Sequence, residues 1–168
     1  FRDSLPDLAL DEYRINDCFL KITKKSGFSY VNPPLIEFES SLFFLSKEKQ
    51  KSECFRVLDP LSQKIMAIRS DITSQIARIS CGSLLHSKRP LKLCYSGEVL
   101  KVKNNNLSMS RQSRQIGAEV IGIKTDLILV DVIKLIVKIL EKLNFKNFIL
   151  NFSMPNLIKA FVEDFQLN

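Results

Sequence analysis

The 168-residue chain has no tryptophan, a single histidine, five glycines and six prolines. So little Gly and Pro excludes a low-complexity or collagen-like chain. His86 is alone, so it cannot complete a metal-ligand set with the four scattered cysteines, Cys18, Cys54, Cys81 and Cys94. No two of these cysteines form a C-x-x-C pair, and neither a zinc site nor a disulfide framework is expected. They read as buried, reduced thiols of a cytoplasmic protein. Long uncharged runs are also missing. The most apolar segment, Leu127–Leu143, carries Asp131, Lys134, Lys138, Glu141 and Lys142 at spacings of three and four. That spacing predicts an amphipathic helix lying on a core. It excludes a membrane span, because charges at a bilayer centre cost about 3 kcal/mol each. Acidic and basic residues throughout Phe1–Asp17 predict no secretory leader.

What is present is globular in kind: 45% hydrophobic and 26% charged residues. One domain over residues 1–168 is expected, with a core large enough to fold without staples. The net charge of +7 raises nucleic acid as a partner. The Lys and Arg residues are scattered, however, and no aromatics interleave with a basic stripe. Lys24, Lys25, Lys47, Lys49 and Lys51 lie near turns and read as solvated charge. Nucleic acid is therefore not expected.

Along the chain, Asp7–Ser26 reads as a helix with Ile15, Cys18, Phe19 and Ile22 on its apolar stripe and Gly27 as its stop. Phe28–Val31 and Leu35–Phe38 are extended around Pro33-Pro34, and Glu39–Leu45 is a short helix. Lys47–Glu53 is a polar loop. Cys54–Leu58 and Lys64–Ile68 form a hairpin about Asp59-Pro60-Leu61-Ser62. Asp71 or Thr73 caps a helix running to about Leu85, with Ile72, Ile76 and Ile79 inward. Leu91–Val102 and Arg111–Gly122 are long strands joined by the polar loop Asn104–Ser110. In the first of them Leu93, Tyr95, Gly97 and Val99 alternate with Lys92, Cys94, Ser96 and Glu98. Thr125 and Asp126 cap the Leu127–Leu143 helix. Asn147–Phe152 is a further strand, and Pro155 opens a last helix to about Phe165. The fold class is α+β, an antiparallel sheet flanked by helices, without the alternation that builds parallel sheets.

Two polar blocks interrupt this pattern: Arg69-Ser70-Asp71-Ile72-Thr73 and Gln115-Ile116-Gly117-Ala118-Glu119. Gln115 and Glu119 share one strand face, because side chains alternate with period two. Two carboxylates, a hydroxyl and an amide converging on a sheet would suit a ligand with a cationic amine and a second N–H. Charge-assisted hydrogen bonds of that kind are worth about 1.5–3 kcal/mol each. The plainer alternative is that Asp71 caps a helix, Thr73 packs, and Gln115 and Glu119 face water. Ser62, Ser96 and Ser110 have no nearby base and His86 no carboxylate neighbour, so no catalytic residue is expected.

From Val31-Asn32-Pro33-Pro34-Leu35-Ile36-Glu37 onward, the chain resembles the catalytic core of class II aminoacyl-tRNA synthetases of the histidyl type. The Pro-containing segment stands at the place of motif 1, and Leu91–Lys103 with Arg111–Gly122 at that of motif 2. Within that superfamily Asp59-Pro60-Leu61-Ser62 and Arg69-Ser70-Asp71-Ile72-Thr73-Ser74-Gln75-Ile76-Ala77-Arg78-Ile79 resemble the regulatory subunits of ATP phosphoribosyltransferase, which are synthetase paralogues. Histidyl synthetases usually carry Arg-Pro-Glu-Gly-Thr there, whereas this chain has Asp71 for the Glu and Ile72 for the Gly. The resemblance implies that Asp71, Thr73 and Gln115 hold the amino group of a histidine and that Glu119 accepts from its imidazole. Lys101, Arg111 and Arg114 fall at the anion-binding side of motif 2. Lys101 stands where a synthetase uses an arginine, and a lysine cannot reproduce the bidentate fork. The region of motif 3 is absent, so a partial core is expected.

The function implied is a non-catalytic subunit with no cofactor, dimerising through Pro33–Phe44. It would join a short-form catalytic ATP phosphoribosyltransferase and sense histidine. The resemblance leaves two alternatives: a histidyl-tRNA synthetase fragment using ATP, magnesium and tRNA, and an RNA-binding module on the same fold.

Overall fold

The computed structural model describes residues 1–44, 52–103 and 110–152. The chain opens with α1, Pro6–Lys25. Pro6 at the first helical position fixes φ where no backbone donor is needed, and Lys24 and Lys25 face the negative end of the helix dipole. Gly27 follows at φ +82°, a conformation open to glycine at little cost, and turns the chain back onto α1. Next come β1 (Ser29–Tyr30), β2 (Ile36–Phe38), α2 (Glu39–Leu42), β3 (Arg56–Leu58) and β4 (Ile65–Ile68). Helix α3 is Thr73–Cys81, the long strands are β5 (Leu91–Leu100) and β6 (Gln112–Ile121), and α4 is Asp126–Lys142.

Among the described residues, two three-stranded sheets result, with orders β1-β5-β6 and β2-β4-β3. The β5–β6 hairpin dominates, pairing Leu91 with Ile121 at one end and Leu100 with Gln112 at the other. An all-antiparallel arrangement was expected, but β1 runs parallel to β5, with Ser29 opposite Leu93 and Tyr30 opposite Cys94. β1 joins the edge of the sheet beside β5 after α1 and the Gly27 turn, through two paired residues.

Both faces of the large sheet are covered. On one, α1 and α4 bury Phe19, Ile22, Phe28, Cys94, Leu135 and Ile139. On the other, Ile72 and Ile76 of the α3 segment meet Leu91, Leu93, Tyr95 and Val99. Each such side chain contributes about 1.5–3 kcal/mol of burial. The simple inward–outward alternation expected for β5 therefore fails at Cys94 and Ser96, which are buried too.

Other local expectations change as well. Helix α3 stops at Cys81 rather than near Leu85, and the chain continues as turns closed by Leu84 N–H to the Ile79 carbonyl and Leu85 N–H to that of Gly82. Gln75 and Ser80 are buried on this helix, while Ile79 is only partly so. Thr125 makes no capping side-chain bond to α4. Cys81 is exposed rather than buried. Asn147–Phe152 is irregular, since no described strand lies alongside to take its hydrogen bonds. The expected helix from Pro155, residues 104–109 of the motif 2 loop and residues 47–51 lie outside the described residues. No described helix is long and apolar enough to cross a membrane.

Candidate functional site

Arg69, 3% exposed, is the post on which the site is hung. Its Nε donates to the Glu98 carbonyl at 2.8 Å and its Nη1 to the Pro33 carbonyl at 2.7 Å. A longer Nη1 contact of 3.4 Å reaches Gln75 Oε1, whose own Nε2 donates to the Pro34 carbonyl at 2.9 Å. One guanidinium thus ties the Pro33-Pro34 turn, strand β5 and helix α3 together. Gly97 makes room for it, because a Cβ there would stand 2.1 Å from Arg69 Nη2.

This anchoring delivers Asp71 and Thr73 over the face of the sheet that carries Gln115 and Glu119. Asp71 Oδ1 accepts from Gln115 Nε2 at 2.8 Å, and Gln115 Oε1 accepts from the Ile72 backbone N–H at 2.9 Å. Asp71 Oδ2 also accepts from Ser74 N–H at 3.3 Å, but the cap position of α3 falls to Ile72, which has no side-chain oxygen, so neither Asp71 nor Thr73 is the cap residue expected. Thr73 Oγ1 lies 3.3 Å from Asp71 Oδ1 and 3.1 Å from the Tyr95 hydroxyl. The Tyr95 hydroxyl in turn lies 3.3 Å from Glu119 Oε1.

Tyr95 is the member that sequence reading missed. Register explains it: Tyr95 is opposite Gly117, between the Gly97–Gln115 and Leu93–Glu119 pairs. Its ring covers Gly117, where a Cβ would meet ring and hydroxyl atoms at 2.3 Å. A glycine within a strand is the signal of such a close approach.

The electrostatics are those of two half-buried acids held close together. Burial pushes the Glu119 carboxyl above its usual range, and the negative charge of Asp71 adds to this, with the Tyr95 hydrogen bond opposing. Burial also pushes the Tyr95 phenol up, opposed by the Thr73 hydrogen bond and reinforced by the two carboxylates. Proton counting sharpens the point. Three oxygen–oxygen contacts join Asp71, Thr73, Tyr95 and Glu119, but the two hydroxyls own one proton each. With both carboxylates ionised, one contact lacks a proton. A proton on Glu119, whose carboxyl is already pushed up, would supply it, and a bound ammonium would instead donate to the carboxylate oxygens directly.

The four residues expected to hold an amino acid are therefore together. The three expected at the anion side are not with them. Arg111 lays its guanidinium over the rings of Phe1 and Phe55, at 5.6 and 5.8 Å from their centroids. Arg114 pairs with Glu98 at 2.7 Å on the opposite face of the sheet, as its place one residue from Gln115 requires. Lys101 is exposed beyond the end of β5, its backbone N–H bonded to the Arg111 carbonyl. Among the described residues, no group of three or more His, Cys, Asp or Glu could hold a metal ion.

The family model for histidyl-tRNA synthetase matches residues 1–168. The chain belongs to the histidyl-tRNA synthetase family. Within it, this histidyl-tRNA synthetase-family chain is 36% identical over 167 residues to the ATP phosphoribosyltransferase regulatory subunit of Paramagnetospirillum magneticum, an alignment covering 99% of the chain and 44% of that relative. The protein of the same name from Rhodospirillum centenum is 43% identical over 121 residues, 72% of this chain and 31% of that one. A solved ATP phosphoribosyltransferase regulatory subunit/histidyl-tRNA synthetase from Bacillus halodurans superposes with a TM-score of 0.72 at 27% identity, over 84% of this chain and 36% of that one. Histidyl-tRNA synthetase from Nostoc, at 20% identity, gives 0.75 over 99% of this chain and 42% of its own, a likeness of fold. The α+β, class II synthetase-like fold expected from the motifs is thus the fold observed. The family chain spans less than half the length of these curated relatives.

Proposed function

We propose that this chain is part of a non-catalytic regulatory subunit of ATP phosphoribosyltransferase, serving a separate short-form catalytic subunit in the cytoplasm and sensing histidine. The observation that carries the reading is the Asp71–Thr73–Tyr95–Glu119 cluster, two carboxylates and two hydroxyls gathered on one sheet face, in a chain 36% identical to a protein of that name. Histidine fits the cluster chemically. Its ammonium would donate to Asp71, Thr73 and Gln115, and its imidazole N–H to Glu119. Binding one quaternary state better than another would shift the population of the assembly, with coupling limited by the difference in affinity.

Dimerisation through Pro33–Phe44 belongs to the same proposal. Ile36 and Phe38 of β2 share a face with Val57, Met66 and Ile68, and Ile36, Phe38 and Val57 are exposed. The contiguous apolar face would bury well against its own copy.

Lys101, in place of a fork-forming arginine, supports a binding role over adenylate formation. The protein carrying this chain should raise the ATP phosphoribosyl-transfer rate of a short-form catalytic subunit in a coupled assay, with histidine lowering that rate. Histidine should raise its melting temperature, with no histidine-dependent ATP–pyrophosphate exchange. Exchange activity without stimulation of the transferase would overturn the proposal in favour of a synthetase. Salt-sensitive RNA binding with no response to histidine would overturn it in favour of an RNA-binding module.

A further inference from the structure

The opposite face of the large sheet holds a cavity of about 240 Å³ between the end of α1, strand β5 and helix α4. Its floor is apolar, with Phe28 and Leu135 both buried. Its rim is basic. Lys92 comes from β5, and Lys134 and Lys138 from α4, with Asp131 as the only carboxylate among the lining residues. None of the three lysines forms an ion pair among the described residues, although Asp131 and Lys134 are one helical turn apart. Lys92 Nζ instead lies 5.9 Å from the centroid of the Phe28 ring. Like charges four residues apart, as at Lys134 and Lys138, destabilise a helix. Gathering them around one hollow is an arrangement that an anion would relieve.

We propose that this cavity is a binding site for a small phosphate monoester with an apolar or aromatic body. Three ammoniums against one carboxylate leave two positive charges, which match a phosphate dianion. The ammoniums act as point charges around the rim, and the organic part lies on Phe28 and Leu135. The site is separate from the Asp71–Glu119 cluster. Lys92 and Val120, paired across β5 and β6, face the cavity, while their neighbours Leu93 and Glu119 face the other way. The inference does not depend on the regulatory-subunit proposal.

Titration calorimetry of the full chain with phenyl phosphate, inorganic phosphate and benzyl alcohol tests it. Phenyl phosphate should bind saturably with one site per chain, inorganic phosphate more weakly, and benzyl alcohol not measurably. Lys138→Gln and Lys134→Gln should each weaken phenyl phosphate at least about tenfold, the loss expected for one charged hydrogen bond. Both lysines are exposed, so the variants should melt with the parent. Methyl resonances of Leu135 should shift on titration and those of Ile76, across the sheet, should not. Absence of saturable binding, or equal affinity in the Lys134→Gln/Lys138→Gln double variant, would overturn the assignment. Inorganic phosphate binding as tightly as phenyl phosphate would overturn the apolar half of it.

Discussion

Glu119 has the least ordinary environment of any acid in the site. Its carboxyl is pushed up by burial and by Asp71, so the folded state holds its proton more tightly than the unfolded chain does. Stability from this group is fully present below the unfolded pKa and is lost as pH rises through the folded one. Above that window, an uncompensated carboxylate is a burden on the fold, and a donor ligand is the natural compensation. Glu119→Gln should therefore leave melting at neutral pH unchanged or slightly raised, and should flatten the stability gain on mild acidification. The same variant should weaken histidine at least about tenfold by calorimetry, since a charge-assisted bond is lost. Unchanged histidine affinity would remove Glu119 from the site. Tyr95→Phe keeps the ring over Gly117 and deletes the hydroxyl shared by Thr73 and Glu119. It should cost about 0.5–1.5 kcal/mol in denaturant unfolding. A neutral result would mean that the two contacts contribute nothing net.

At the scale of elements, the site depends on β4 ending where α3 begins, and Arg69 fixes that junction to β5. Gly97→Ala places a methyl 2.1 Å from the Arg69 guanidinium. The arginine must then leave its carbonyl partners or β5 must shift, at about 1–3 kcal/mol. Urea midpoints should show the loss, and histidine affinity should fall with it, because Asp71 and Thr73 follow Arg69 in the chain. Stability lost with affinity retained would show that the junction holds without the guanidinium. Much of this scale was legible in the sequence. Strand period two placed Gln115 and Glu119 together, and the Asp59–Ser62 turn placed the hairpin. Illegible were features decided by long-range register. Tyr95 belongs to the site because Gly117 lies opposite it across the hairpin, and the lysine-bearing face of β5 is a second packed face because α1 and α4 cover it. The strand glycine signals a close approach, but only the register says which ring makes it. The parallel β1 escaped notice because two residues carry too little pattern to assign a direction.

At the scale of the molecule, the small sheet is the unfinished part. One of its faces closes on Leu42, Cys54 and Ala67 at one end, with Glu37 on that side gripped by Arg78 at 2.5 Å, while Leu58 and Ile65 at its other end stay exposed. The other exposes Ile36 at 39%, Phe38 at 38% and Val57 at 45%. Scattered apolar residues are normal on a surface, whereas a contiguous strip across three paired strands is the mark of an interface. If two copies meet there, a buried charge would be intolerable at the centre of the contact while remaining harmless on the monomer. Phe38→Lys should therefore convert a dimer to a monomer in sedimentation velocity. The melting transition of the monomer should become independent of protein concentration, and the parent's should rise with it. A Phe38→Lys protein that still sediments as a dimer would move the interface off this sheet and leave the exposed strip to another partner.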